Sequence, residues 1–130
     1  MTTYVVDTHA LVWYLAADRR LSAVARAILE NEHAVLVIPT IVLAELRHLI
    51  AKKRVNTHFD AVLTELRRDR RVIIHTFDLT CVERLDPRLD LHDGAIVATA
   101  IARRDLLGED VALITRDAEI RQSGLVRTVW

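Results

Sequence analysis

Thr3-Tyr4-Val5-Val6-Asp7-Thr8-His9-Ala10 decides the fold. Four β-branched or aromatic residues form a short, continuously apolar run, and an acid stops it. Such a run reads as a strand buried on both faces, the pattern of a parallel sheet. Asp7 or Thr8 can then cap a helix through Ala10–Ala17. Working outward, Ala34-Val35-Leu36-Val37-Ile38 repeats the pattern and is stopped by Pro39. Val72–Phe77, Val111–Thr115 and Leu125–Trp130 supply three more strand candidates. Between them lie helical stretches. Ser22 caps Ala23–Glu32, with Val24, Ile28 and Leu29 expected on one face. Thr40 caps a helix through Lys53, and Thr57 caps one through Arg70. Asp78–Asp86 forms a short helix, Pro87–Asp90 a loop, Leu91–Arg104 a buried helix, and Ala118–Gln122 a helical turn. Strands alternating with helices predict an α/β fold: one domain over residues 1–130, a parallel sheet of about five strands, and helices on both faces.

Composition narrows the function. The chain has 130 residues, 52% hydrophobic and 28% charged, with three glycines and two prolines. That excludes a disordered, collagenous or disulfide-built chain. A single cysteine, Cys81, permits no internal disulfide and no thiolate pair for zinc, and fits a reduced, cytoplasmic setting. Eighteen basic and eighteen acidic residues give a formal charge of zero, so any nucleic-acid site must be a local patch. No apolar run approaches the ~20 residues of a membrane span, and no membrane partner is expected. Asp7 and the lack of a basic start argue against a signal peptide.

Four acids flank the apolar runs. Asp7 directly follows the first strand and Asp117 lies just beyond the fourth, so both fall at the carboxyl edge of a parallel sheet, where open α/β folds bind ligands. Asp93 falls in the first turn of the buried helix. Glu45 borders the stripe of Val42, Leu46 and Leu49 on the third helix. Each acid alone has an ordinary explanation as a cap, a dipole partner or a loop acid. Together, with no lysine or arginine locally spaced to neutralise Asp7, they repel one another and must take protons or hold a cation. All-oxygen ligation selects Mg²⁺ or Mn²⁺ over zinc. The six histidines form no zinc-hydrolase spacing, and there is no GxSxG or Gly-rich phosphate loop.

Val5-Val6-Asp7-Thr8-His9-Ala10-Leu11-Val12-Trp13-Tyr14-Leu15 resembles the opening of a PIN domain, in particular the branch that includes VapC-type toxins of toxin–antitoxin pairs. Three further blocks follow in order at family spacing: Pro39 to Leu46, Leu91 to Ala100, and Leu113-Ile114-Thr115-Arg116-Asp117. The resemblance spans essentially the whole chain. It implies an acidic pocket of Asp7, Glu45, Asp93 and Asp117 at the carboxyl edge, a Mg²⁺- or Mn²⁺-dependent endoribonuclease activity, and hydrolysis leaving a 5′-phosphate and a 3′-hydroxyl. Thr115 matches a small hydroxyl position that serves an acid or a water on the metal. Relatives carry an additional acid near Asp93, for which Asp90 is the only candidate here. The resemblance further implies a homodimer, a cognate VapB-type antitoxin whose tail lies over the acids, and transfer or ribosomal RNA as substrate.

Other residues carry two readings. Arg116, beside Asp117, is either a phosphate contact or an exposed strand-end arginine. His9 either faces the pocket or makes a structural hydrogen bond, and His92 reads as a first-turn or loop residue. Trp13 and Tyr14 are expected to pack or meet a dimer partner rather than stack on RNA. The basic pairs, Arg103-Arg104 among them, read as solvated helix ends. A non-catalytic RNA- or protein-binding module, or a nuclease of RNA maturation or DNA, would leave the same acids with a different task.

Overall fold

The computed structural model describes all residues, Met1–Trp130. Five strands form one sheet: β1 (Thr2–Val6), β2 (Val35–Pro39), β3 (Val72–His75), β4 (Asp110–Ile114) and β5 (Arg127–Val129). Their order is β3-β2-β1-β4-β5, and every pairing is parallel. Seven helices connect them: α1 (Thr8–Leu15), α2 (Ala23–Glu30), α3 (Thr40–Ala51), α4 (Phe59–Arg68), α5 (Leu79–Val82), α6 (Leu91–Leu107) and α7 (Ala118–Ser123). The chain moves outward from β1 to β2 and β3, then crosses back to β4 and β5. Right-handed crossovers therefore put α1–α4 on one face and α5–α7 on the other. The order reverses at β1, so the gap between the carboxyl ends of β1 and β4 is the topological switch point.

The apolar runs behave as their continuity predicts. Val5, Val6, Val37, Ile38, Leu113 and Ile114 are all buried, as a sheet covered on both sides requires. The Gly94–Ala100 stretch of α6 is buried on every residue, which fixes this helix against the sheet and Asp93 at its outer end. Asp90 caps α6 by accepting from Asp93 N–H at 2.9 Å, and Gly108 ends it in the left-handed conformation at φ 65°. The helix thus runs nearly a turn beyond Arg104, where the sequence placed its end.

Several local expectations give way to longer-range bonds. Thr40 does not cap α3; Pro39 holds that position, and the Thr40 hydroxyl accepts from Phe77 N–H at 3.0 Å, tying α3 to the segment after β3. His58 rather than Thr57 precedes α4, without a side-chain cap. On α2, Ala25 and Leu29 form the buried face and Val24 is exposed. Arg103 is not a solvated helix end but is buried, paired with Glu109 at 2.6 and 2.9 Å and bonded to His75 Nδ1 at 3.1 Å. Cys81 is buried, its Sγ 3.7 Å from His75 Nε2.

Candidate active site

The β1–β4 register pairs Val6 with Ile114, so the residues that follow, Asp7 and Thr115, emerge side by side at the switch point. Asp7 caps α1. One carboxylate oxygen accepts from His9 N–H at 2.8 Å, and the other accepts a short hydrogen bond from the Thr115 hydroxyl. Thr115 is fully buried, and its Oγ1 also accepts from Asp117 N–H at 3.0 Å. One threonine therefore links two of the acids. Asp117 in turn caps α7, accepting from Ile120 N–H at 2.9 Å. Asp93 and Glu45 come from opposite faces of the sheet, the first from the start of α6 and the second from one turn inside α3. Neither of their carboxylates accepts a hydrogen bond. None of the four acids forms an ion pair.

The electrostatics of the cluster follow from burial and from that missing cation. Burial raises the Asp7 carboxyl above its ordinary range, against the opposing pull of the Thr115 hydrogen bond. Burial also raises Glu45, opposed chiefly by nearby His92. Asp93 shows the strongest effect. Burial first, and then the charges of Asp117, Asp90, Asp7 and Glu45 in that order, push it up to about 7. The four acids that the sequence singled out thus lie within electrostatic reach of one another, with Asp90 beside them. Structural cap and clustered acid are the same residue at Asp7, Asp90 and Asp117.

The residues present fit a hard divalent cation. The donor set is all carboxylate, no built-in arginine or lysine neutralises it, and burial together with the neighbouring carboxylates raises Asp93. The side chains as they stand do not close on one point: no three acidic, histidine or cysteine groups form a ready cluster. A further buried polar atom is left over here. The Thr8 hydroxyl is buried without a hydrogen-bond partner, near enough to Glu45 to favour its charged form. No local pattern marks it, because threonine at a helix start is ordinary.

The other sequence candidates divide. Arg116 and His9 are exposed and border a hollow of about 250 Å³ together with Asp7, Asp117 and Trp13. His92 lies in the first turn of α6 and borders a separate hollow with Glu45 and His48. Trp13 packs, as expected; it is only 8% exposed. Its position between the acid cleft and an apolar groove beside α4 was not legible in the sequence.

A family model for the PIN domain matches residues 4–124, a span that takes in all four acids. The chain belongs to the PIN-domain family. No curated protein matches its sequence. Among solved structures, this PIN domain is similar to a chain of VapBC2 from Rickettsia felis bound to a DNA fragment from their promoter. The TM-score is 0.68 at 18% identity, covering 99% of this chain and 98% of that one. It is likewise similar to a chain of FitAcB from Neisseria gonorrhoeae, with a TM-score of 0.67 at 16% identity and coverage of 98% and 97%. At such identities the likeness shows the fold, which these chains share over nearly their full length.

Proposed function

We propose that this PIN domain is a VapC-type toxin, a Mg²⁺- or Mn²⁺-dependent endoribonuclease that hydrolyses RNA phosphodiesters. The observation that carries the reading is the gathering of Asp7, Glu45, Asp93 and Asp117 at the carboxyl edge of the sheet with no arginine or lysine paired to any of them, where burial first and then the neighbouring carboxylates push Asp93 up to about 7. A protein that only bound RNA would gain nothing from gathering anions where phosphates must lie. Asp7, Asp93, Glu45 and Asp117 would hold the ion. When bound, it would make a water more acidic and offset charge on the phosphoryl oxygens.

The chain's own residues then have distinct tasks. Thr115 fixes the Asp7 carboxylate and the backbone of Asp117, so two acids keep their orientation without a tether to a cation. Burial keeps Asp7 away from bulk water, which strengthens its interactions. Glu45 and Asp93 have uncommitted oxygens, free to orient a water or accept its proton. Displacement of this kind needs no covalent nucleophile, and the products are a 5′-phosphate and a 3′-hydroxyl.

The same reading includes a homodimer working in the cytoplasm, transfer or ribosomal RNA as substrate, and a cognate VapB-type antitoxin over the acids. Family membership and the shared fold with a VapBC2 chain support it. Inducible expression with mapping of RNA 5′ ends tests it. The wild type is expected to leave new 5′-phosphate ends, and Asp7→Asn none. Cleavage that persists in a clean Asp7→Asn preparation overturns the assignment.

A further inference from the structure

Two arginines lean on the same indole, and they are not equivalent. Arg20 lies 4.9 Å from the Trp13 ring on the side of the apolar groove, and Arg116 lies 5.6 Å from it on the side of the acids. Arg20 is spent: Asp18 accepts from its Nε at 3.1 Å and its Nη2 at 2.8 Å. Arg116 makes no ion pair and no hydrogen bond. It is an exposed guanidinium positioned by an aromatic face, beside a cleft whose other walls are Asp7 and Asp117. Next to it, the exposed His9 ring stands 5.5 Å from Trp13 at 44°. Trp130 backs the indole edge-on at 5.8 Å, so the wall that holds both groups is itself packed.

From this arrangement, and resting on the nuclease reading above, we propose that Arg116 and His9 form a grip for one nucleotide of single-stranded RNA next to the scissile phosphate. Arg116 takes a backbone phosphate, and the His9 ring offers its face to a base. Trp13 is the positioning residue: too buried to meet RNA itself, it restricts both side chains before substrate arrives, so less freedom is lost on binding. The charge arrangement selects the ligand. A free cation on the rim of an anionic floor suits a chain of phosphates that must be held beside the acids without being neutralised by them. An exposed ring beside the cleft suits an unpaired strand, since bases in a duplex are already stacked.

Binding can be measured without cleavage, which separates this proposal from the catalytic one. In an Asp7→Asn background, the affinity of an end-labelled single-stranded oligoribonucleotide is read by fluorescence anisotropy across a salt series. Arg116→Gln is expected to weaken binding roughly ten-fold and to lower the salt slope by about 0.7, the loss of one phosphate contact on a single strand. Arg67→Gln, an exposed and unpaired arginine on α4, is expected to change neither. His9→Ala is expected to weaken binding with the slope intact, and His9→Phe to restore it. Double-stranded RNA is expected to bind more weakly and to be insensitive to His9→Ala. Arg116→Gln behaving like Arg67→Gln overturns the phosphate contact, and His9→Phe as weak as His9→Ala overturns the stack. Both outcomes would leave the acids and their chemistry untouched.

Discussion

The two ends of strand β4 carry acids in opposite states. At its start, Glu109 is gripped by Arg103, and Asp110 accepts from Thr2 Oγ1 at 2.7 Å and pairs with Arg127 at 3.1 Å. Both carboxyls lie below their ordinary range, held there by the Arg103 hydrogen bonds in one case and the Thr2 hydrogen bond in the other. At its finish, Asp117 and the neighbouring Asp7, Asp93 and Glu45 have no cation, and three of the four carboxyls are raised. The chain has eighteen basic residues, so the bare edge is not a shortage of charge. It is a placement. One end of the sheet has its counterions built in, and the other has none; in the function proposed above, a divalent cation from solution fills that role.

Removing a bare acid should cost function most. Asp7→Asn and Asp93→Asn are each expected to lower Mn²⁺-dependent RNA cleavage by more than about 100-fold, because loss of even an indirect partner of a metal ligand costs 10–100-fold. A cleavage time course measures it. Removing a built-in counterion should instead cost stability. Arg103→Met leaves Glu109 unpaired and His75 without its donor, and is expected to destabilise by about 2 kcal/mol, below the fully buried case because Glu109 keeps a quarter of its side chain exposed. Thermal unfolding measures it, and Mn²⁺ binding is expected to survive.

A smaller effect has the opposite sign at the two ends. The folded-state pKa of Asp93, about 7, lies above its unfolded value of 3.8. Between those values the folded chain holds a proton that the unfolded chain has lost. Metal-free stability attributable to Asp93 therefore falls as pH rises from about 4 to about 7. Asp93→Asn is expected to flatten that fall and, at pH 8 without metal, to stabilise by on the order of 1 kcal/mol after allowing for solvent screening. Glu109 and Asp110 behave in reverse: their contribution is present above the unfolded carboxylate range and is lost as pH falls through their lowered values. The smallest effect belongs to Asp86→Asn. Asp86 is half-buried and pairs with the exposed Arg88 at 2.8 Å, and an asparagine keeps an oxygen for the Arg88 backbone N–H, so its loss is expected to leave cleavage unchanged and to lower the melting temperature only slightly.

Much of this contrast was legible in the sequence, and the missing part has a simple local cause. Short β-branched runs such as Val35–Ile38, bounded by turn residues, read as buried strands, and acids just after such runs fall at the carboxyl edge of a parallel sheet. That accounts for the fold and for Asp7 and Asp117, whereas Glu45 and Asp93 sit on helices and join the cluster only through the way α3 and α6 pack. The sequence also carries a spacing rule. Asp18, Asp69 and Asp86 each have arginine two residues on, and each closes the same turn, accepting from that arginine's backbone N–H and its guanidinium. Of the clustered acids only Glu45 has an arginine at that spacing, but within α3 the two do not pair and Arg47 stacks on Phe59 instead; Arg116 precedes Asp117 rather than following it. The burial of Arg103, the bond from Phe77 N–H to Thr40 and the two-sided position of Trp13 depend on residues far apart in the chain. No local pattern encodes them.

The central claim is that the bare edge is a site for a divalent cation, and calorimetric titration of Mn²⁺ tests it without any RNA. The wild type is expected to take up Mn²⁺ saturably at pH 8, to bind more weakly below pH 7 where Asp93 keeps its proton, and to release protons as it binds; Asp93→Asn is expected to lose the uptake. Equal uptake by the two chains, or none by the wild type, would contradict the account.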